Sequence, residues 1–344
     1  MKCVVGLSGG VDSSTSAFLM KQRGYEVIGC TLRLFNNEKA DISVRDATAV
    51  ADFLKIPIEV LDCSEDFNKY VIDYFVDYYK NGKTPSPCVM CNEFIKFKYL
   101  NEFRMIKNAD ILVTGHYANI KKSNGRAELY QGADRNRDQS YFLYAVDGNI
   151  LANAEFPLGG YSKSETRAIA RKNGIQVAEK PDSQDICFIQ NNNYIAFIKE
   201  KLNGIFSFES GDIVDINGKV LGQHNGIINY TIGQRRGLGL SGGPFFVYKI
   251  DAERNEIVVS DKEGIKVKRI FLNDTKFINE PFEGECRVKI RSNGEKIKAR
   301  LIHDNLNNND NLVVDFLESE YGAAQGQHCV FFDEKKILGG GEIK

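Results

Sequence analysis

The run Cys3-Val4-Val5-Gly6-Leu7-Ser8-Gly9-Gly10-Val11-Asp12-Ser13-Ser14 decides the fold. Its apolar start predicts a short buried strand, its glycines a tight turn, and the pattern from Thr15 to Arg23 a helix that Gly24 ends. Strand, glycine turn and helix in that order aim backbone N–H groups and a positive helix end at an anion. Ser8, Ser13 and Ser14 add hydroxyl donors. Asp12 supplies a carboxylate where a magnesium ion would sit beside phosphates. The stretch lacks the Gly-Lys-Ser/Thr ending of a Walker A loop and the spacing of a dinucleotide-binding Gly-x-Gly-x-x-Gly.

Outward from this loop, short apolar runs alternate with amphipathic stretches. Strands are predicted at 2–7, 26–32, 58–62 and 110–114, and helices at 13–23, 43–54, 67–80, 92–105 and 163–172. The alternation predicts a doubly wound, mostly parallel α/β sheet over 1–203, with ligands beyond the carboxyl ends of its strands. After Leu202 helical periodicity fades and glycines separate short β-type runs at 212–216, 219–222, 245–250 and 256–260. We therefore expect two small β-rich domains, 204–262 and 263–344, the last a β-barrel. Asn307–Asn309 reads as a solvated loop.

The 344 residues are 42% hydrophobic and 26% charged, a soluble globular composition that excludes a disordered chain. No apolar stretch approaches the ~20 residues of a membrane span, and no signal peptide opens the chain. Eight cysteines without a secretory signal predict a reducing, cytoplasmic setting, in which spaced cysteines do chemistry or bind metal. The net charge of −1 makes any nucleic-acid site a matter of local clustering.

The second signal is Thr84-Pro85-Ser86-Pro87-Cys88-Val89-Met90-Cys91-Asn92. Placed at the start of the 92–105 helix, Cys91 is expected to have a lowered pKa and to be a good nucleophile. Cys187 lies in a third motif at 181–189. Cys88 and Cys91 form a Cys-x-x-Cys pair, and with Cys187 three thiolates could hold an iron–sulfur cluster with one open iron. His116 as a fourth ligand would suggest zinc instead. Cys3, Cys30, Cys63, Cys286 and Cys329 lie in or beside apolar runs and read as small hydrophobes.

These motifs occur in a fixed order with Thr114-Gly115-His116-Tyr117-Ala118, Arg137-Asp138-Gln139-Ser140-Tyr141-Phe142-Leu143 and Tyr230-Thr231-Ile232-Gly233-Gln234-Arg235-Arg236-Gly237-Leu238. The loop resembles that of the ATP pyrophosphatases, and the whole series resembles the tRNA-specific 2-thiouridylase family. The resemblance implies ATP-dependent replacement of oxygen by sulfur at C2 of the wobble uridine of tRNA, through an adenylated base, giving AMP and pyrophosphate. It implies that Cys91 is the nucleophile and Cys187 carries a persulfide, with a Cys91–Cys187 disulfide as a resting or intermediate state. It implies ATP contacts from Gly6, Leu7, Ser8, Gly9, Gly10, Val11, Asp12, Ser13, Leu32 and Gly115. Ser86, Pro87 and Cys88 would lie beside the target base. His116, Arg137, Asp138, Gln139, Arg291, Ser292 and Gln327 would contact tRNA. Expected partners are tRNA and a sulfur-donor protein, and expected cofactors ATP and magnesium. Cys88 stands where many members of the family carry aspartate, which keeps a [4Fe-4S] cluster open beside the persulfide route. Other pyrophosphatase-loop enzymes, among them the amidotransferase-type and tRNA-lysidine synthetases, and a non-catalytic RNA-binding iron–sulfur protein are the competing readings.

Asn293-Gly294 predicts a two-residue hairpin turn pairing Arg291 with Lys296, Lys289 with Lys298 and Arg287 with Arg300. Like charges placed opposite each other destabilise a sheet, and a polyanion across that face would relieve them. Arg235 and Arg236 could also meet phosphates, whereas Lys266, Lys268 and Arg269 read as solvated. Asp138 has two readings, a proton-handling carboxylate near the base or a loop salt bridge.

Overall fold

The computed structural model describes residues 1–181, 186–189, 193–202, 209–303 and 312–344. Part of the 181–189 motif, the expected boundary near 203 and the Asn307–Asn309 patch lie outside the described residues.

Five parallel strands form the first sheet: β1 (Lys2–Gly6), β2 (Glu26–Arg33), β3 (Ile58–Asp62), β4 (Ile111–Val113) and β7 (Ala154–Glu155), in the order β3-β2-β1-β4-β7. Cys3, Val4 and Val5 are fully buried because both faces of this sheet are covered. Side-chain alternation sends Cys3, Val5 and Leu7 towards the helices Val11–Gln22 and Glu38–Leu54, against Ala17, Met20, Val50 and Leu54. Val4 points the other way, against Phe97, Leu100 and Phe103. The second helix starts earlier than the periodicity suggested. The Asn37 side chain caps it by accepting from Ala40 N–H at 3.0 Å, a polar signal that an apolar pattern does not register.

The cysteine-bearing helix also begins early. Pro87–Met90, Cys91–Lys96 and Phe97–Ile106 run on as one helix, with π-type hydrogen bonding over its middle segment. Ser64–Phe67, Asn68–Asp73 and Tyr74–Lys80 form a second such helix beside it. Π-type turns are rare and frequent at functional sites.

A hairpin that the alternation gave no hint of leaves this region. Strands β5 (Ala118–Ser123) and β6 (Arg126–Gln131) meet at Asn124-Gly125, both at positive φ, with Ser123 opposite Arg126. Strand β6 pairs with β17 (Lys336–Ile343), placing Leu129 opposite Ile337. The first 131 residues thus extend the sheet built by the last eighty.

That sheet contains a six-strand antiparallel barrel. Its strands are β12 (Lys266–Phe277), β13 (Gly284–Lys289), β14 (Ile297–His303), β15 (Leu312–Tyr321), β16 (His328–Asp333) and β17. They run β12-β15-β14-β13-β16-β17, and β12–β17 pairing closes the ring. Between barrel and parallel sheet, β8 (Gly211–Asp215), β9 (Val220–His224), β10 (Phe246–Asp251) and β11 (Glu256–Ser260) form a small mixed sheet, β10-β11-β8-β9. It shares one core with the two π-containing helices, in which Phe67, Phe75, Cys91 and Phe188 meet Ile213, Val247, Ile257 and Val259.

The barrel also braces the cysteine helix. Lys276 of β12 ion-pairs with Glu93. Tyr141 donates to the His328 carbonyl at 2.7 Å, while Asn92 donates to Phe142 O at 2.9 Å.

The hairpin at Asn293-Gly294 differs from the expected register. Arg287 lies opposite Lys298, Cys286 opposite Ala299 and Glu285 opposite Arg300. The strands part after Val288, because Ile290 turns into the core and draws the 290–296 connection into a wider loop. Arg300 gains Glu285 as an ion-pair partner at 2.7 Å in place of a like charge.

Candidate active site

The glycine loop lies at the carboxyl end of β1. Its Gly9 has φ +67°, and a Cβ there would sit 2.6 Å from Cβ of Asp46, so the backbone runs directly against the helix Glu38–Leu54. Ser8 N–H donates to the Ser13 hydroxyl at 3.1 Å, and the Ser14 hydroxyl donates to Gly10 O at 2.8 Å. Leu7 and Val11 are buried plugs on either side. Gly115, beyond β4, packs so closely that a Cβ would lie 2.8 Å from Ser13 N. Gly6 to Ser13 and Gly115 are thus brought together. Leu32 stands one strand away, packed against the core cluster that contains Cys91.

Asp12 is the hub of the loop. Lys163 Nζ lies 2.8 Å from both carboxylate oxygens, and the Tyr117 hydroxyl donates to Oδ1 at 2.8 Å. Gln139 locks Tyr117 through both main-chain groups, accepting from its N–H at 2.9 Å and donating its own N–H to its carbonyl at 3.0 Å. Lys180 closes the other flank, donating to Gly9 O at 3.1 Å and pairing with Asp46 at 2.5 Å.

The thiols form the second half of the site. Cys88, Cys91 and Cys187 perturb one another electrostatically, and Lys96, five residues beyond Cys91 on the π-type turn, faces all three. All eight cysteines are free thiols, so the expected Cys91–Cys187 disulfide is absent. The expected low pKa of Cys91 is also reversed. Burial pushes its thiol up to about 12, with Lys96 pulling the other way. Cys91 is the fifth residue of a helix that starts at Pro87, too deep for the favourable field of the helix end, which fades within one turn. Cys88 and Cys187 are exposed residues whose thiols are raised as well, again by desolvation and against Lys96. Among the described residues no group of three or more His, Cys, Asp or Glu side chains is placed to hold a metal ion.

One helix connects the two halves. Lys39, in the first turn of Glu38–Leu54, donates to Cys187 O at 2.5 Å. Ser43, Asp46 and Ala47 of the same helix press on Gly9. The seven residues from Lys39 to Asp46 rise about 10 Å along the helix.

Other expected site residues are distributed unevenly. His116 is buried, bonded through Nδ1 to the Thr114 hydroxyl at 2.8 Å and stacked on Phe97, and burial pushes its pKa down to about 3. Little of its surface is exposed. Asp138 accepts from Gln131 Nε2 at 2.6 Å, Gly132 N–H at 3.0 Å and Ser140 N–H at 3.2 Å, so it organises its loop and makes no salt bridge among the described residues. Arg137 is half-buried. Ser86 N–H donates to the Tyr74 hydroxyl, and Pro87 opens the cysteine helix. Arg291 is exposed and bonded to Tyr321 O at 2.7 Å, with half-buried Ser292 beside it and half-buried Gln327 before β16.

Sequence reasoning missed Lys96, Lys163, Lys180, Tyr117 and Arg135. Tyr117 lies inside the Thr114–Ala118 motif, where its hydroxyl was a readable donor. Lys163 follows Ser162 in a capping box with Glu165, a readable helix start. Its partner is 151 residues away, and no spacing rule reaches that far. Arg135 comes from the loop before Asp138 and, with Arg287 and Lys289, bears on the half-buried Lys296, whose pKa is pushed down first by burial and then by Lys289, with Arg287 and Arg135 adding to this and Asp138 opposing it. That crowding of positive charge joins the parallel-sheet region to the barrel.

Three family models match in series: a tRNA methyl transferase HUP domain over residues 1–191, a tRNA methyl transferase PRC-barrel domain over 197–261 and an aminomethyltransferase β-barrel domain over 264–343. The chain is 43% identical over 356 residues to the tRNA-specific 2-thiouridylase MnmA of Rickettsia massiliae, covering 99% of this chain and 96% of that one. The chain belongs to the tRNA-specific 2-thiouridylase family. Relatives from Parvibaculum lavamentivorans, at 40% identity over 99% of this chain and 90% of theirs, and Clostridium tetani, at 39% over 100% and 96%, carry the same name. Among solved structures, the U34-tRNA thiolase NcsA of Methanococcus maripaludis with its [4Fe-4S] cluster is similar at 16% identity and a TM-score of 0.37, over 59% of this chain and 65% of that one. No helix among the described residues is long and apolar enough to cross a membrane.

Proposed function

We propose that the protein is an ATP-dependent tRNA-uridine 2-sulfurtransferase acting on C2 of the wobble uridine. The observation that carries this reading is the helix Glu38–Leu54, which touches Gly9 of the loop and the Cys187 carbonyl within about two turns. Phosphate chemistry and sulfur chemistry can then act on one base. Family membership supplies the substrate class.

In the first step the uridine O2 attacks the α-phosphate of ATP. An O–P bond forms, the α–β bridging bond breaks, and pyrophosphate leaves with the electron pair. The glycine loop would receive the phosphates on N–H groups and hydroxyls. Asp12 is the loop's carboxylate, and one carboxylate plus phosphate oxygens is a donor set that suits magnesium, which would neutralise phosphate charge. In the second step the terminal sulfur of a Cys187 persulfide, loaded by a persulfide-bearing donor protein, attacks C2 and AMP leaves with the C2 oxygen. Cys91 then attacks the inner sulfur of Cys187, releasing the thiolated base and leaving a disulfide that a cellular dithiol reduces. Burial raises the Cys91 thiol while Lys96 opposes that shift, so in this scheme Lys96 favours the thiolate that attacks Cys187. The exposed Arg287 and half-buried Lys289, with Arg135 and Arg291, would hold the tRNA backbone. The division into 1–203, 204–262 and 263–344 is part of this proposal, supported by the ranges of the three family models.

The test is incubation with ATP, magnesium, a persulfide donor and unmodified tRNA, followed by nucleoside analysis and AMP measurement. 2-Thiouridine and AMP in equal amounts are expected from iron-free protein. AMP formation on a substrate other than tRNA, or thiolation that tracks bound iron and sulfide, would overturn this scheme.

A further inference from the structure

A run of side-chain hydrogen bonds ties the basic face of the barrel to the glycine loop, and the sulfur-transfer scheme leaves it without a role. Lys296, the residue before β14, lies 4.5 Å from the Phe332 ring centroid and donates through Nζ to Gln131 Oε1 at 2.5 Å and to the Glu334 carbonyl. Gln131 ends β6, and its Nε2 donates to Asp138 Oδ2 at 2.6 Å. The other Asp138 oxygen accepts from the Gly132 and Ser140 N–H groups, which fixes the connecting loop around it. Gln139, next in the chain, holds Tyr117 at both main-chain groups, and the Tyr117 hydroxyl holds Asp12.

We propose that Lys296 is a positioning residue that seats Asp138 through Gln131, and that RNA on the basic face tightens this seating, so that tRNA and ATP bind cooperatively. The inference rests on the ATP-dependent tRNA reading above. In the free protein the half-buried Lys296 ammonium is crowded by Arg135, Arg287 and Lys289, with Asp138 as the carboxylate that opposes them. Repulsion among the four cations works against the bond from Lys296 to Gln131. A phosphate backbone laid on Arg135, Arg287 and Lys289 cancels that repulsion and leaves Lys296 firmly on Gln131 and the Glu334 carbonyl. The two states thus differ in how tightly the Gln131 amide is held, which is the differential contact that coupling requires. The Gln131 main chain is fixed in both, its N–H on the Lys335 carbonyl at 2.9 Å and its own carbonyl accepting from Asn119 Nδ2 at 3.0 Å. A firmer amide steadies Asp138, the loop of Asp138 steadies Gln139, and Gln139 sets the Tyr117 hydroxyl against Asp12, the carboxylate expected to carry magnesium.

The test reads the coupling itself, using magnesium and α,β-methylene-ATP, which cannot be cleaved between its α and β phosphorus atoms. Equilibrium dialysis of the full chain gives the affinity for this analogue without tRNA and at saturating tRNA. In wild type, saturating tRNA is expected to tighten the analogue about fivefold or more, and the analogue should tighten tRNA by the same factor. Lys296→Met should bring that factor below about two, with the affinity in the absence of tRNA within about twofold of wild type, and Lys296→Arg should keep most of the coupling by keeping the charge. Gln131→Leu removes no charge and should have the same effect, and the double variant should lose no more than either single one. Working at saturating tRNA keeps a plain loss of RNA affinity out of the comparison. Full coupling in Lys296→Met or Gln131→Leu would overturn the assignment, as would an equal loss of analogue affinity with and without tRNA. Should either variant not fold, Gln131→Glu sets a carboxylate against Asp138 with little change of shape and is read by the same factor. Wild type that binds both ligands without coupling rejects this inference alone, whereas wild type that makes no 2-thiouridine from tRNA and ATP sinks the parent reading.

Discussion

The glycine loop and the cysteine helix are motifs of similar strength, yet they behave differently when folded. The loop does what its residues imply, because glycine and hydroxyl residues encode backbone shape and that information is local. Gly9 at positive φ, Ser13 bonded to Ser8 N–H and the helix starting at Val11 all follow from a few consecutive residues. The cysteine helix carries equally recognisable residues, but thiol reactivity belongs to the surroundings. Burial raises Cys91 to about 12, and the opposing charge on Lys96 and the approach of Cys187 come from the folded arrangement. A motif read for geometry survives folding better than one read for reactivity.

The most severe way to break this comparison is to disable each half alone. Cys91→Ser and Cys187→Ser should each remove 2-thiouridine by a factor on the order of 10⁴ or more, with AMP release from ATP and tRNA within about threefold of wild type. Asp12→Ala should do the opposite, abolishing AMP release while Cys91 alkylation continues at its wild-type rate. If a serine variant stops ATP cleavage too, the halves are not separable and the contrast fails.

A smaller effect isolates the surroundings of the thiol. Lys96→Met should lower the rate of Cys91 alkylation by iodoacetamide at pH 8 about tenfold, equivalent to roughly one unit of pKa, and Lys96→Arg should retain most of it. An unchanged rate in the methionine variant would show that Lys96 does not tune the sulfur.

How far the sequence could be read follows the same line. The parallel sheet was legible because its strands are short apolar runs between amphipathic helices. Strand 58–62 and helix 163–172 fall at their expected limits. The β5–β6 hairpin was missed, although Asn124-Gly125 announces it, because attention to alternating strands and helices hides an antiparallel insertion. Asn293-Gly294 has the same letters and makes no two-residue hairpin, since burial of Ile290 outweighs turn preference. The pairs that build the site, Lys163 with Asp12, Lys39 with Cys187 and Lys276 with Glu93, join residues 148 to 183 positions apart. Nothing local encodes them.

The basic face gives a third, weaker test. Arg135→Gln and Lys289→Gln should each raise the KM for tRNA several-fold and reduce the slope of log affinity against log salt by about one. Arg269→Gln is the control, because Asp315 already neutralises Arg269 in a two-point pair at 2.5 and 2.7 Å. A matching loss in the control would mean that overall charge, rather than this face, steers the RNA.

The mildest perturbation is pH, and it asks which junction yields first. Burial holds His116 and His328 near pKa 3, the one packed on the cysteine helix, the other at the join between barrel and parallel-sheet region. Each is near 6.5 in the unfolded chain, so between pH 6.5 and 3 the unfolded state binds more protons and acid favours unfolding. Their stabilising contribution is complete above pH 6.5 and is lost as pH falls, by up to about 1.4 kcal/mol per pH unit for each. His328 should dominate: its Nδ1 is bonded to the Tyr144 hydroxyl and its Nε2 is buried without a partner, leaving no acceptor for a second proton. Urea midpoints measured from about pH 7 to 5 should fall less steeply in His328→Gln than in wild type, with His116→Gln intermediate. Identical slopes in all three proteins would mean that carboxylates alone set the acid limit and that neither junction senses pH.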